Sequence, residues 1–263
     1  MKKYTFISGA AGGLGSAFAK ELALKGFNLF VTDISQEKLD SLKAELLQIN
    51  ANIEIITFAC NLVIESQRQA LINFVAENNV TFERLVNVAG VDIQKPFADY
   101  TAEKIKLHVG VNVNANVELT HAFLPRLSEN AEILTVSSMS SVTPMPYFAL
   151  YSATKALLSS LFMSLHYELK KKGIKVTVVM PGGIYTRPDI IQDIKTQGLS
   201  GKLSSQTPEQ VVKGALKAVK KNKLKYIPGA FNKFIYFVEK ITPLKVQLRF
   251  IAKRWGNRVR DAF

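Results

Sequence analysis

Short apolar runs alternate along this chain with longer segments that carry helix signals, and this alternation restricts the fold more than any other feature. The apolar runs cover residues 4–8, 28–33, 53–59, 84–88, 131–138, 174–180 and 224–227. Because polar residues do not recur at every second position, we interpret the runs as parallel strands buried on both faces. The intervening segments predict helices at residues 13–25, 36–48, 65–77, 109–127, 150–172 and 208–221. The sequence therefore predicts an α/β fold, a doubly wound parallel sheet with helices on both faces.

A glycine-rich segment at residues 8–15, Ser-Gly-Ala-Ala-Gly-Gly-Leu-Gly, directly follows the first strand. Gly9, Gly13 and Gly15 would permit a tight turn into the first helix, where backbone N–H groups could bind a dinucleotide diphosphate. Small residues here also let a helix pack closely on a strand, so the motif alone leaves both interpretations open. In a Rossmann-like sheet of this kind, ligands bind at the carboxyl ends of the strands.

Asp33 ends the second strand, at the distance beyond the glycines where a ribose-binding carboxylate is expected. Such a carboxylate accepts hydrogen bonds from the adenosine ribose and repels the 2′-phosphate of NADP. No Arg or Lys lies within the glycine segment to attract that phosphate. The alternative is an aspartate that caps the next helix beside Ser35. We expect NAD as the cofactor, with NADP the less favoured choice.

Tyr151 and Lys155 lie four residues apart, and Ser138 precedes the tyrosine by thirteen residues. Residues at i and i+4 share one face of a helix. A nearby ammonium favours the ionised form of a phenol, whose pKa is otherwise about 10. A tyrosine in this setting can donate or accept a proton near neutral pH. With the glycine segment, these residues indicate a hydride-transfer enzyme.

Several motifs in the same order resemble those of the short-chain dehydrogenase/reductase family, over roughly residues 4–190. Ser8 stands where the family's glycine motif begins with Thr, and Asn61-Leu62 stands at its Asp-Val pair. Asn87-Val88-Ala89-Gly90 resembles its Asn-Asn-Ala-Gly segment, with valine in place of the second asparagine. Residues 181–186, Pro-Gly-Gly-Ile-Tyr-Thr, resemble its Pro-Gly-x-x-x-Thr segment.

The resemblance implies an NAD(P)-dependent oxidoreductase with a catalytic tetrad of Asn112, Ser138, Tyr151 and Lys155. Tyr151 would exchange a proton with the substrate oxygen, and Ser138 would hydrogen-bond that oxygen. Lys155 would bind the nicotinamide ribose, and the backbone of Asn112 would hold a water that connects Lys155 to solvent. The residues expected to contact the cofactor are Gly9, Gly13, Leu14, Gly15, Asp33, Asn61, Leu62, Asn87, Ala89, Gly90, Tyr151, Lys155, Ile184 and Thr186.

The family pattern also implies a mobile lid over the substrate at residues 187–206. The wall between Ser138 and Tyr151 carries Met139, Met145, Tyr147 and Phe148, which predicts a largely apolar pocket. Neighbours of Asn112, namely Asn114 and Asn116, are expected on the helix surface.

Cysteine and histidine usage predicts neither a disulfide nor a metal site. Cys60, the single cysteine, is expected to be a buried reduced thiol, which suits a cytoplasmic protein. His108, His121 and His166 are scattered without metal-ligand spacing, and we expect structural roles for them. The short apolar run after Met-Lys-Lys does not fit a signal peptide, and no run is long enough to predict a transmembrane helix.

The positive charge of the chain is concentrated near its C-terminus. Residues 202–263 contain 15 Lys or Arg and 3 Asp or Glu, a difference of +12 out of the total of +13. We divide the chain into a dinucleotide-binding and catalytic domain at residues 1–228 and a basic amphipathic helical extension at residues 229–263. The extension could pack on its own protein, where it would cover a hydrophobic substrate pocket or a subunit interface. It could also lie on an anionic membrane surface, or bind an acidic partner or nucleic acid. Because no nucleic-acid-binding motif is present, we expect no nucleic acid as a partner.

The sequence thus predicts an NAD-dependent oxidoreductase for a hydrophobic secondary alcohol or ketone, steroid-, acyl- or lipid-like, with Tyr151 as acid and base. One alternative is an NADP-dependent 3-oxoacyl or lipid ketone reductase at a membrane surface. Another is a dinucleotide-sensing regulator without turnover, which the presence of both Tyr151 and Lys155 disfavours. We expect a cytoplasmic homo-oligomer, dimer or tetramer, with peripheral membrane contact through the extension as an open alternative.

Overall fold

A seven-stranded parallel sheet forms the centre of the computed structural model, which describes residues 2–256 and Asp261. The strands in chain order are β1 (Lys3–Ser8), β2 (Asn28–Asp33), β3 (Ile55–Ala59), β4 (Thr81–Asn87), β5 (Leu127–Val136), β6 (Lys175–Val179), β7 (Gly183–Ile184), β8 (Ser205–Gln206) and β9 (Lys225–Tyr226). The sheet order is β3-β2-β1-β4-β5-β6-β9, and every neighbouring pair is parallel. β7 and β8 pair only with each other among the described strands. The strand order reverses between β1 and β4, so the predicted doubly wound fold is confirmed.

Helices cover both faces of the sheet. In chain order they are α1 (Gly13–Leu24), α2 (Gln36–Ile49), α3 (Glu65–Glu77), α4 (Ala102–Val109), α5 (Asn116–Phe123), α6 (Ala149–Glu168), α7 (Pro188–Thr196), α8 (Gly198–Ser204), α9 (Pro208–Lys220), α10 (Ala230–Ile241) and α11 (Leu244–Trp255). α1, α2 and α9 pack on one face, and α3, α5 and α6 pack on the other. Since side chains alternate along a strand, Phe6 belongs to one core and its neighbour Ile7 to the other. This two-sided burial explains why the strands are continuous apolar runs.

The helix predicted at residues 109–127 differs most from the structure. The helical segment begins earlier, at α4, where the Thr101 hydroxyl accepts a hydrogen bond from the Lys104 N–H. Within α4 only His108 is buried, so the segment has no apolar periodicity to reveal it. β5 likewise begins at Leu127, before the predicted residue 131, because its first residues are exposed or half-buried and include Glu129 and Asn130.

The chain after β6 builds one side of the ligand-binding edge. The predicted lid at residues 187–206 consists of α7, α8 and β8, the second strand of the small sheet, while its mobility stays a prediction. α10 and α11 form the described part of the extension, and residues 257–260, 262 and 263 lie outside the described residues. Buried Asn232 on α10 donates hydrogen bonds to the carbonyl oxygens of Ser204 (2.9 Å) and Pro228 (2.8 Å). The extension is thereby attached to the lid. Among the described helices, none has the length and apolar character needed to cross a bilayer.

Candidate active site

A cavity of about 1120 Å³ opens at the carboxyl ends of the strands, as expected for this sheet order. Its lining comes from the loops after β1 to β6, from α6, and from the lid and the C-terminal helices. Every predicted site residue lies on this lining except Asn87 and Asn112. Predicted site residues from Gly9 to Thr186 therefore share one cavity, although they are far apart in the chain.

The glycine turn begins at Gly9, which has a φ of 65°. A Cβ atom at Gly15 would lie 2.0 Å from the Gly9 carbonyl oxygen, and one at Gly9 would lie 2.9 Å from the Ala89 Cα. The glycines therefore do allow close packing, which was the alternative interpretation of the motif. The same turn also faces the cavity, because α1 begins there at Gly13 with no side-chain cap and no acidic residue in its first turn. The unpaired N–H groups at this helix start fit a diphosphate.

Asp33 stabilises the turn from the end of β2. Its carboxylate accepts hydrogen bonds from the Ala11 N–H (2.9 Å) and the Ile34 N–H (2.8 Å), one on each oxygen. Each oxygen keeps acceptor capacity for a ribose hydroxyl. Capping of α2 is performed by Ser35, whose hydroxyl accepts from the Lys38 N–H, so Asp33 is not the cap. The Lys38 side chain also lines the cavity. This cation lies on α2 and not in the glycine segment, so the sequence of that segment did not predict it.

Asn87 supports the site from behind the cavity lining. Its amide donates to the hydroxyls of Thr120 (2.9 Å) and Thr135 (3.2 Å), which joins β4 to α5 and β5. Ala89 and Gly90, the next part of the same motif, do line the cavity. The structure thus assigns Asn87 a positioning contact within the protein. The sequence could not distinguish this contact from one to a cofactor.

Tyr151 and Lys155 project from the first turns of α6 into the cavity. The Tyr151 ring stacks on Phe148, with 4.4 Å between ring centres, and the Lys155 Nζ lies 5.8 Å from the centre of the tyrosine ring. Lys155 is buried and donates to the Val136 carbonyl oxygen at 2.9 Å. Burial lowers the pKa of Lys155 from 10.5 to about 8, although the carboxylate of Asp92 opposes this effect. The predicted pair therefore shares the cavity.

Ser138 lies at the end of β5, where its hydroxyl accepts a hydrogen bond from the Ser140 N–H at 3.1 Å. The neighbouring Ser137 donates to the Lys155 carbonyl oxygen at 2.8 Å and lies 2.7 Å from the Ser159 hydroxyl. These contacts fix α6 against the strand that carries Ser138. Ser137 and Ser159 were not predicted as site residues. The serine-rich run at residues 137–141 was the sequence signal for Ser137.

Asn112 lies in a wider, π-helical turn at Gly110–Ala115, between α4 and α5. Its buried amide donates to the Val91 carbonyl oxygen (3.0 Å) and the Thr154 hydroxyl (3.1 Å), and its Oδ1 accepts from the Val91 N–H (2.8 Å). Its own carbonyl oxygen accepts from the Asn116 amide at 3.0 Å. The expectation that Asn116 lies on the surface is wrong, because this helix face packs against the β4 loop and leaves Asn116 buried.

His108 is an uncharged neighbour of the tyrosine. It is fully buried on α4, with 6.1 Å between its ring centre and that of Tyr151. Burial and the positive charge of Lys155 lower the pKa of His108 from 6.5 to about 4. The imidazole is therefore neutral at physiological pH. The position of His108 beside Tyr151 was not predictable from the sequence, because α4 itself was not predicted.

The part of the cavity beyond Tyr151 is mainly apolar. Its large apolar side chains are Met139, Met145, Phe148, Ile190, Ile194, Phe231, Phe234, Ile235, Val238, Val246, Phe250, Ile251 and Trp255. Tyr147, expected in this wall, is not among the lining residues. A single carboxyl from the extension, Glu239 on α10, also lines the cavity, and burial raises the pKa of that carboxyl from 4.5 to about 7. More than half of these apolar residues come from the C-terminal helices, as in the alternative in which the extension covers the pocket.

Cys60 is buried, as predicted, and burial raises the pKa of its thiol to about 11. The thiol is therefore protonated and a poor nucleophile at neutral pH. In the part of the chain that the structure describes, no group of three or more His, Cys, Asp or Glu side chains could hold a metal ion.

A protein-family model and several known proteins match this chain. The model of the short chain dehydrogenase family matches residues 3–195. A very-long-chain 3-oxoacyl-CoA reductase from Bos taurus is 30% identical over 223 residues, which cover 82% of this chain and 68% of that protein. An uncharacterized oxidoreductase from Staphylococcus epidermidis is 26% identical over 187 residues, which cover 70% and 79% of the two chains.

Solved structures agree with the fold at lower identity. A 7β-hydroxysteroid dehydrogenase aligns with a TM-score of 0.85 and 23% identity, covering 95% of this chain and 96% of that one. A short chain dehydrogenase from Burkholderia cenocepacia in complex with NADP aligns with a TM-score of 0.76 and 22% identity, covering 88% and 98%. The family model spans most of the chain and includes all four residues of the predicted tetrad. The chain therefore belongs to the short-chain dehydrogenase family of oxidoreductases.

Proposed function

We propose that this protein is an NAD-linked dehydrogenase that interconverts a hydrophobic secondary alcohol and the corresponding ketone. One observation carries the proposal. Ser138, Tyr151 and Lys155 line the same cavity as the glycine turn at one end and a mainly apolar wall at the other. Such a cavity brings a dinucleotide and an apolar substrate to the same tyrosine.

The residues around the glycine turn fit a dinucleotide. The start of α1 would hold the diphosphate, Asp33 the adenosine ribose, and Asn61 and Leu62 the adenine. Ala89, Gly90, Ile184 and Thr186 would hold the nicotinamide half. When bound, the nicotinamide supplies or accepts the hydride.

Tyr151 would act as the general acid in ketone reduction and as the general base in alcohol oxidation. Lys155 would stabilise the phenolate by its positive charge, and Ser138 would hydrogen-bond the substrate oxygen and orient it toward the phenol. In this proposal, Asn112 positions the start of α6, since its amide reaches Thr154 next to Lys155. The π-helical turn at this residue is of a kind that occurs frequently at functional sites.

The substrate class follows from the wall beyond the tyrosine. Thirteen large apolar side chains would exclude water from a bulky apolar compound. The similarity to 3-oxoacyl-CoA reductases and the structural likeness to a hydroxysteroid dehydrogenase agree with acyl- or steroid-like ketones. Assembly as a homo-oligomer stays a prediction, to be checked by light scattering.

A second candidate, an NADP-dependent reductase of 3-oxoacyl or similar lipid ketones, is favoured by Lys38. This side chain lines the cavity on the helix after Asp33 and could attract a 2′-phosphate. Asp33 argues for NAD, since its carboxylate would repel the same phosphate. We favour NAD because Asp33 is held at the turn by two backbone N–H groups.

The test is turnover of a panel of aliphatic, steroidal and 3-oxoacyl ketones, with NADH and NADPH followed by their absorbance. We expect reduction of bulky apolar ketones, and a higher kcat/KM with NADH than with NADPH.

Tyr151→Phe should abolish turnover and leave dinucleotide binding, measured by calorimetry, nearly unchanged. If the variant keeps more than roughly a tenth of the activity, which is less than 1.4 kcal/mol of lost transition-state stabilisation, Tyr151 is not the acid and base. Cofactor binding without turnover of any ketone would favour the regulatory alternative.

A further inference from the structure

The C-terminal helices α10 and α11 carry an exposed apolar face. Phe234, Phe237 and Ile241 on α10 are 61%, 60% and 66% exposed, and Leu244 and Phe250 on α11 are 52% and 64% exposed. We call these five residues the apolar face. Isolated exposed apolar residues are ordinary, but five large ones on two adjacent helices form a surface of the kind that marks an interaction site.

The opposite side of the two helices is fixed to the enzyme, so the apolar face is not an unpacked end of the chain. Asn232 and Ile251 are buried. The Gln247 amide donates to the carbonyl oxygens of Glu239 and Thr242, both at 2.7 Å, and its Oε1 accepts from the Thr143 hydroxyl at 2.6 Å. The predicted packing on the protein body is therefore correct for one side of the extension only.

Basic side chains accompany the apolar face. Lys233 and Lys240 on α10, and Lys245, Arg249 and Lys253 on α11, are all exposed. The single acidic residue between positions 230 and 256 is Glu239, which is half-buried in the cavity lining. The outer surface of this helix pair is thus apolar and positively charged, as in amphipathic helices that lie in the headgroup region of anionic membranes.

The apolar face is continuous with the cavity. Four residues of these helices are exposed and also line the cavity, namely Phe234, Val238, Val246 and Phe250. An apolar compound could therefore pass from a surface that covers these side chains to the apolar wall near Tyr151 without crossing water.

We propose that the apolar face docks the enzyme on an anionic lipid bilayer, and that the substrate enters the cavity from the bilayer at the place where exposed side chains of α10 and α11 also line the cavity. The entry route rests on the proposed function, whereas the docking does not. A second copy of the chain fits this surface less well, because two such faces would bring five exposed cations of each copy together.

Vesicle co-sedimentation tests the docking with the full chain. We compare phosphatidylcholine vesicles with vesicles that also contain phosphatidylserine, at low and high salt. The double variant Phe237→Ser/Ile241→Ser removes two side chains that do not line the cavity. Leu24→Ser is the matched control, since Leu24 is 66% exposed on α1, away from the cavity.

We expect binding to the anionic vesicles, release by salt, and a partition coefficient lowered roughly tenfold or more by the double variant but unchanged by the control. Absence of binding to anionic vesicles by the wild-type chain, or equal loss in both variants, overturns the docking. A wild-type dimer that the double variant converts to a monomer, without vesicle binding, identifies the face as a self-association surface and also overturns it.

Turnover then tests the entry route. The double variant should keep its kcat/KM for a short methyl ketone dissolved in water and lose activity toward a long-chain methyl ketone dissolved in the vesicles. Equal rates of the double variant and the Leu24→Ser control on the long-chain ketone in the vesicles would refute entry from the bilayer. If no ketone is turned over although vesicles are bound, the proposed function fails and the docking stands.

Discussion

Replacement of Glu239 by glutamine removes an ionisable group from an apolar cavity while keeping its size. Burial raises the pKa of this carboxyl from 4.5 to about 7, although the charge of Lys240 opposes the shift. The folded protein therefore holds this proton more tightly than the unfolded chain does. The stabilisation that follows is fully present below pH 4.5 and is lost as the pH rises through about 7. Above that pH the wild-type protein holds an ionised carboxylate against apolar side chains.

The magnitude follows from the two pKa values. Each pH unit between them corresponds to about 1.4 kcal/mol, so ionising Glu239 in the folded state costs about 2–3 kcal/mol once water at this half-buried site is allowed for. For a chain of this size such a difference corresponds to about 5–10 °C in melting temperature. Glu239→Gln should therefore melt above the wild type at pH 8 and close to it at pH 5.

Thermal melts of the cofactor-free protein at these two pH values provide the assay. Glu77→Gln, at an exposed position on α3, is the matched control and should follow the wild type at both. Comparison between variants cancels the titration of all other groups. The burial of this carboxyl in the cavity would be refuted if Glu239→Gln changed the melting temperature by the same amount at pH 5 and pH 8. It would also be refuted if the variant melted below the wild type at pH 8.

Three further outcomes are expected. Asp33→Ala should lower kcat/KM with NADH and reduce the ratio of kcat/KM with NADH to kcat/KM with NADPH. A higher kcat/KM with NADPH in the wild type would contradict the proposed role of Asp33. Gly15→Ala should lower dinucleotide affinity and stability, because the added Cβ would lie 2.0 Å from the Gly9 carbonyl oxygen. Gly12→Ala, where that distance is 3.3 Å, should cause a smaller loss of affinity by calorimetry and of melting temperature. Asn232→Ala should destabilise the protein by about 2–4 kcal/mol, because it leaves the Ser204 carbonyl of the lid and the Pro228 carbonyl without this donor. It should raise KM more than it lowers kcat, and an unchanged KM would contradict the attachment of the lid by Asn232.

Local chemistry made much of the fold and the catalytic residues predictable. Gly26, with a φ of 81°, ends the first helix as its residue type demands, and Thr207 and Gln210 form the predicted capping box. The strands were recognisable because burial on both faces requires apolar side chains at every position. Tyr151 and Lys155 were recognisable because their chemistry depends on a spacing of one helical turn.

What the sequence could not determine depends on contacts between distant segments. Asn87 was expected at the cofactor and Asn116 on the helix surface. Only the folded chain showed that Asn87 donates to the Thr120 hydroxyl and that Asn116 donates to the Asn112 carbonyl oxygen. Lys38 reaches the cavity because α2 starts next to the glycine turn in space.

The extension shows the same division between sequence and structure. Its residue order by itself predicted two basic amphipathic helices, since apolar residues recur at helical spacing among lysines and arginines. Composition could not determine which side of each helix would be covered, because that depends on where the preceding strand ends and which surface lies beside it. The tertiary structure decided that one side closes the substrate cavity and the other side faces outward, with its apolar and basic residues exposed.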